Sequence, residues 1–223
     1  MGGGGPRAAV FGVSDGLVTN VSLVLGMAGA SPGGSIVRLA GVAGLIAGSF
    51  SMAAGEYLSM KAQRELLERE LEIERRALER HPRGETAELR DAYVQRGIDP
   101  TVAHDMAHEV MQDPELALET HAQEELGIST SSLGSPWQAA GASFVTFALG
   151  AFLPLLPWLF GSGTDALVAS VLIGAVAALA VGAVLAKFTE RPMLPSALRQ
   201  LAVTAVAAGV TYGVGRAIGT GVS

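Results

Sequence analysis

The chain has 223 residues, of which 49% are hydrophobic and only 16% are charged. An ordinary soluble domain carries about 25% charged residues, so the composition excludes that class and indicates a membrane protein. The absence of cysteine excludes disulfides and thiolate metal sites, and the net charge of −6 argues against nucleic acid as a partner.

Five apolar stretches are long enough to cross a bilayer, since a membrane helix needs about 20 apolar residues. In chain order they cover residues 8–30, 36–60, 136–160, 165–188 and 195–219. Gly, Pro and Ser mark the breaks between neighbouring spans, as expected for turns.

The segment between the second and third spans, residues 61–135, holds 17 of the 21 acidic residues, nine of the 15 basic ones and all four histidines. We therefore predict an all-α fold: a five-span transmembrane helical bundle with a cytosolic helical metal-binding insert between spans 2 and 3. The predicted domains are spans 1 and 2 over 1–60, the insert over 61–135, and spans 3–5 over 136–223.

Basic residues predict the orientation, because loops on the inner side of a membrane are enriched in Lys and Arg. With the N-terminus inside, only Arg38 and Arg216 fall on the outer side. The N-terminus and the insert are then cytosolic, and the odd number of spans places the C-terminus on the far side. We expect a multi-pass protein of a prokaryotic plasma membrane, because the chain is short and we find no organelle signal.

Two carboxylates lie well within the predicted spans, away from their ends: Asp15 in the first and Glu56 in the second. At 1.5 Å per residue, Asp15 lies about 10 Å from the inner end of its helix, and Met52 and Glu56 lie about 12 and 6 Å from theirs. Ionisable groups in a span indicate function, so we predict that these three residues form a transport pathway. The alternative is that Asp15 lies at headgroup level and Met52 fills space.

The predicted pathway has a defined chemistry. Two carboxylates and a thioether favour Fe²⁺ or Mn²⁺ over Mg²⁺ or Ca²⁺, and the carboxylates can take up protons when the metal leaves. Nearby hydroxyl and amide oxygens are candidate further ligands, at Ser14, Thr19, Asn20, and Ser49 or Ser51.

Glycines recur four residues apart within the spans, and this spacing lets helices approach closely. Such pairs include Gly44 with Gly48, Gly209 with Gly213, and Gly215 with Gly219. They indicate either tight packing inside one bundle or a face for a second copy.

The second span has strong helix formers after Glu56, so its helix is predicted to continue until His81 and Pro82 end it. Further helices are predicted at about 85–96, 100–112 and 114–126. Asp99 and Asp113 each precede a proline and are predicted N-caps.

Several acidic and histidine side chains of the insert pair at helical spacing. These pairs are Glu70 with Glu74, Glu85 with Glu88, His121 with Glu125, and His104 with His108. Inward-facing Glu and His on neighbouring helices build metal sites in helical bundles. The alternative is a solvated face with Glu–Arg pairs.

Across nearly its whole length the chain resembles the vacuolar iron transporter family. The matching strings are DGLVTNVSLVLGMAGA (15–30), AGSFSMAAGEYLSMKAQRE (47–65), EELGI (124–128), GAFLPLLP (150–157) and TYGVGRAIG (211–219). The resemblance implies a homodimer that exchanges cytosolic Fe²⁺, and often Mn²⁺, for protons, as in bacterial-type members with a cytosolic metal-binding domain. It also implies that Asp15 and Met52 lie on the translocation path.

For the insert, the resemblance implies a metal-binding domain that uses glutamates from three helices and a methionine pair. The equivalents here are Glu74, Glu85, Glu88 and Glu125. The chain departs from the family at four positions: Ala77 replaces a glutamate for which Glu70 can substitute, His121 and Ala122 replace the methionine pair, and Gly44 replaces an acid of the second span.

The predicted function is a proton-coupled Fe²⁺/Mn²⁺ exporter, not an enzyme, whose partners are divalent metal ions, protons, the lipid bilayer and a second copy. No organic cofactor is expected. The alternative is a membrane-anchored ferroxidase or metal sensor without transport, in which the spans serve only as an anchor. A small-solute permease has no support beyond the spans.

Overall fold

The computed structural model describes residues 4–30, 33–125, 127 and 134–220, and all regular structure in these residues is helical. The helices are α1 (Gly4–Ala30), α2 (Gly34–Arg80), α3 (Pro82–Gln95), α4 (Pro100–Val110), α5 (Pro114–Glu125), α6 (Pro136–Phe160), α7 (Gly163–Phe188) and α8 (Met193–Thr220). By length and composition, α1, α2, α6, α7 and α8 are able to cross a membrane. The predicted all-α fold with five spans and a helical insert is confirmed.

Helix α2 has 47 residues and combines the second span with the first helix of the insert. It ends at Arg80, directly before His81 and Pro82, as predicted. Pro82 then starts α3, a few residues earlier than predicted, because the first turn of a helix tolerates proline. The chain separates into two compact units, one over Ser59–Ser135 and one combining Gly4–Leu58 with Pro136–Ser223.

In the second of these units, α1 packs against α6, α7 and α8. Its closest approach to α6 is made by glycines: a Cβ on Gly16 would overlap the carbonyl oxygen of Phe147, and a Cβ on Gly150 would overlap that of Val13. Gly215 and Gly219 bring α8 equally close to Gly26 and Ala30 of α1. These contacts fix which side of α1 is buried.

The other predicted glycine pairs divide between two environments. Gly44 faces side chains of α1, and Gly48 faces the ring of Phe147 on α6, so this pair packs within the bundle. Gly209 and Gly213, in contrast, have no heavy atom within 4 Å of the position a Cβ would occupy, within the described part of the chain. Of the predicted pairs that the structure describes, Gly209 and Gly213 are the ones with open space beside them.

The insert unit has its own small core between α3 and α4. Leu89 and Tyr93 of α3 pack against Ala103 and Ala107 of α4, all of them buried. Both predicted N-caps are confirmed: the Asp99 carboxylate accepts from Thr101 N at 2.9 Å, and the Asp113 carboxylate accepts from Glu115 N at 2.9 Å.

Candidate metal centre

Three helices of the insert unit bring two carboxylates and one imidazole together. Glu74 comes from α2, Glu85 from α3 and His121 from α5, and one potential ligand atom of each lies within 4.8 Å of the others. His121 Nδ1 is 3.2 Å from Glu74 Oε1 and 3.8 Å from Glu85 Oε2. We refer to Glu74, Glu85 and His121 as the insert triad.

The insert triad is almost completely shielded from solvent. His121 is 1% exposed and Glu85 is 9% exposed, and 12% of the Glu74 side chain is accessible. The imidazole of His121 is in contact with both carboxylates. Oxygen and imidazole ligands together suit a divalent transition metal, so these three side chains are a candidate metal site.

The structure places the remaining predicted ligands differently. Among the described residues, the close group contains neither Glu70, which is partly buried one turn before Glu74, nor Glu88, which is exposed on α3. The side chain of Glu125 lies outside the described residues. Metal binding by these three glutamates stays a prediction.

The histidine pair of α4 is exposed and takes part in local contacts. His104 Nδ1 lies 3.5 Å from the carboxylate of Asp105, and His108 Nδ1 lies 3.4 Å from Gln112 Nε2. The two histidines are not part of the insert triad.

An ion pair joins the residue that follows α3 to α5. The guanidinium of Arg96 donates to both carboxylate oxygens of Glu124. Burial, together with the charge of Glu124, raises the pKa of Tyr93 above its usual 10.0, while the charge of Arg96 acts in the opposite direction. No helical spacing in the sequence predicts this pair, because Arg96 follows α3 and Glu124 lies on α5.

Asp15 lies on an exposed side of α1 in the single chain, where its carboxylate accepts from Thr19 Oγ1 at 3.5 Å. Met52 and Glu56 are partly buried, one helical turn apart on α2. Two aromatic contacts hold this part of α2 against α6. Phe50 and Phe144 meet edge to face at 5.1 Å, and the rings of Tyr57 and Trp137 lie 4.7 Å apart.

Two of the predicted oxygen ligands are engaged with neighbouring helices. Gln200 Nε2 of α8 donates to Ser14 Oγ at 2.8 Å, and Asn20 Nδ2 donates to the Ala151 carbonyl of α6 at 2.6 Å. Ser49 is buried and donates to the Leu45 carbonyl within its own helix. Gln200 was not predicted from the sequence, although an amide side chain inside an apolar span is a recognised sign of an interhelical hydrogen bond.

Comparison with known proteins gives matches over almost the entire chain. A family model described as the VIT family matches residues 6–216. Vacuolar iron transporter 1 of Eucalyptus grandis is 32% identical over 213 residues, which are 95% of this chain and 86% of that protein. The vacuolar iron transporter of Acanthamoeba castellanii is 36% identical over 217 residues, which are 94% of this chain and 77% of that protein.

Proposed function

This chain belongs to the VIT family, and on that premise we propose that it is a proton-coupled transporter that exports Fe²⁺ or Mn²⁺ from the cytosol. The observation that carries the proposal is the carboxylate of Asp15 on a membrane-length helix. Ionisable groups in spans are costly and mark ion pathways. We propose iron as a transported ion because the relatives are named vacuolar iron transporters.

In the proposed mechanism, the insert triad captures the cation in the cytosol and the pathway residues carry it. Asp15 and Glu56 supply hard oxygen ligands, and Met52 supplies a softer thioether. When the metal leaves, a low-dielectric environment favours the neutral, protonated form of the carboxylate over the charged form. Proton entry from the far side would therefore release the metal there, which couples export to the proton gradient.

A homodimer is part of the proposal. In the single chain, Phe11, Asp15 and Thr19 recur at four-residue spacing on the exposed side of α1. A carboxylate on such a side would face lipid, which is unfavourable, whereas a second copy would enclose it. We therefore propose that two copies line the pathway. The N-terminus and the insert are cytosolic in this proposal, and the prokaryotic plasma membrane stays the predicted location.

Uptake by vesicles tests the function. The full chain, reconstituted with an acidic lumen, is expected to take up external Fe²⁺ through copies whose insert faces outward, and to release protons from the lumen. Asp15→Asn should reduce uptake to the level of protein-free vesicles. Asp165→Asn is the matched control, because Asp165 is an exposed carboxylate in the first turn of α7. Equal transport by Asp15→Asn and the parent would overturn the pathway assignment.

The alternative is a membrane-anchored ferroxidase or sensor, and the buried insert triad would serve it equally well. It predicts stoichiometric metal binding by the purified chain without any flux in the same vesicles. Binding and flux measured on one preparation therefore separate the two functions.

A further inference from the structure

We propose that His121 sets the metal preference of the insert triad, so that each insert binds one ion of Zn²⁺, Co²⁺ or Fe²⁺ ahead of Mn²⁺. This inference rests on the proposed role of the triad as the metal-capturing site. It goes beyond that role because it assigns a selectivity to a single side chain.

The position of the imidazole is fixed by its surroundings. His121 is 1% exposed on α5, and its neighbour Ala122 is fully buried. The Nδ1 atom lies on the same side as both carboxylates, 3.2 Å from Glu74 and 3.8 Å from Glu85. A buried side chain with this orientation presents a nitrogen ligand to any ion held by the two carboxylates.

The imidazole nitrogen gives the site different affinities for metals that carboxylates alone distinguish poorly. Affinity for divalent ions generally rises from Mn²⁺ through Fe²⁺ and Co²⁺, and imidazole suits iron and zinc, whereas carboxylate sites suit Mn²⁺, Mg²⁺ and Ca²⁺. In the triad, His121 is the one non-carboxylate member. Discrimination against Mn²⁺ is therefore assigned to His121.

The dimensions of the triad fit one ion. Zinc–oxygen and zinc–nitrogen bonds of about 2.0–2.2 Å in a tetrahedral site place the ligand atoms of one ion about 3.3–3.6 Å apart. The three ligand atoms already lie within 4.8 Å of one another, so binding needs a contraction of about 1 Å at most. Two ions, about 3.5–4 Å apart in dinuclear sites, would need more ligands than the triad supplies.

The test uses the purified full chain without a histidine tag, in which Zn²⁺ and Mn²⁺ compete for binding. The parent is expected to bind one Zn²⁺ in each insert, apart from any ion in the proposed pathway, and to prefer it to Mn²⁺ there. His121→Glu, which makes the site entirely carboxylate, should lower the ratio of Zn²⁺ to Mn²⁺ affinity by about tenfold or more, the range reached even by changes around metal ligands. His104→Gln is the matched control, because its imidazole is exposed, and should leave the ratio unchanged.

A second measurement leaves His121 intact and so does not depend on the folding of a His121 variant. The sequence has three other histidines, and the variant H81Q/H104Q/H108Q retains only the imidazole of His121. X-ray absorption of this variant with one equivalent of Zn²⁺ should show imidazole scattering. A shell of oxygen alone would overturn the proposal, as would an unchanged Zn²⁺/Mn²⁺ ratio in a folded His121→Glu.

Vesicle flux measured on the same preparations separates this inference from the proposed function. Loss of metal selectivity in His121→Glu supports the assignment of His121 whether or not the parent transports metal. A parent that binds Zn²⁺ through His121 but shows no flux contradicts the transport function alone. A parent that transports Fe²⁺ while His121→Glu keeps its metal preference contradicts only the present inference.

Discussion

The Nδ1 atom of His121 lies 3.2 Å from Oε1 of Glu74, a contact that joins the last helix of the insert to the extension of the second span. Glu85 completes the group from α3. Each of the three helices thus contributes one proposed ligand, so the proposed metal site is complete only when the insert is folded. The proposal therefore links metal binding to folding of the insert.

Removal of one triad carboxylate should weaken metal binding more than removal of a neighbouring exposed glutamate. We expect Glu74→Gln and Glu85→Gln each to reduce the affinity for Zn²⁺ by about tenfold or more, since a ligand contributes at least as much as its surroundings. Glu88→Gln, one turn from Glu85 but exposed, should change it little. Isothermal titration of the three purified variants measures the difference.

The comparison also tests the ligand set predicted from the sequence. If Glu88→Gln weakens binding as strongly as Glu85→Gln, α3 turns both glutamates toward the ion in the loaded state, and the site is larger than the triad.

Local features of the insert were predictable because their causes are local. Pro82 ends α2, and the carboxylates of Asp99 and Asp113 cap the helices that follow them. Helical spacing did not predict the contact of His121 with Glu74 and Glu85, because it relates each residue only to neighbours on its own helix. Contacts between helices depend on how the helices pack, which spacing along the sequence does not reveal.

The membrane helices also combine predictable and unpredictable features. The five spans could be predicted from hydropathy, but the position of Asp15 on the exposed side of α1 could not. That side is determined by Gly12 and Gly16, whose missing side chains let α1 approach the α6 backbone at Ser143 and Phe147. Asp15 directly precedes Gly16, and successive residues of a helix point about 100° apart, so its side chain lies to one side of this contact, where it is exposed. The four-residue spacing of Gly12 and Gly16 is the feature of the sequence that indicates this close approach.

The ion pair of Arg96 and Glu124 should stabilise the insert modestly. More than half of the Arg96 side chain is exposed, whereas 13% of Glu124 is, so solvent screens part of the attraction. We expect Glu124→Gln to lower the free energy of unfolding by about 1 kcal/mol at neutral pH. A double-mutant cycle with Arg96→Gln, measured by chemical denaturation, gives the coupling. A coupling of zero would mean that the pair only accompanies the packing of α3 and α5.

The phenol of Tyr93 should titrate above its ordinary pKa of 10.0, because burial and the charge of Glu124 both disfavour the phenolate. The difference in absorbance at 295 nm between the parent and Tyr93→Phe isolates this group. Glu124→Gln should lower the Tyr93 pKa and Arg96→Gln should raise it, since the two charges act in opposite directions. Shifts of the same sign in both variants would contradict this electrostatic origin.

The same shift makes the insert sensitive to alkali. A folded-state pKa above the unfolded value means that the contribution of Tyr93 to stability is complete below pH 10 and is lost as the pH rises through the raised pKa. Raising the pH from 7 into strong alkali should therefore lower the stability of the parent more than that of Tyr93→Phe. Circular dichroism against pH records both curves.

Replacing glycine by alanine at two positions of the spans should have opposite effects on stability. Alanine normally favours a helix over glycine by about 1 kcal/mol, and at Gly209 nothing lies within 4 Å to oppose the added methyl group. At Gly150 the same methyl group overlaps the Val13 carbonyl of α1, a backbone atom that moves only if the helices separate. We expect Gly150→Ala to destabilise the detergent-purified protein by about 1–3 kcal/mol and Gly209→Ala to leave it unchanged or more stable. Thermal unfolding monitored by tryptophan fluorescence compares the two, and equal melting temperatures would mean that α1 and α6 do not cross at Gly150.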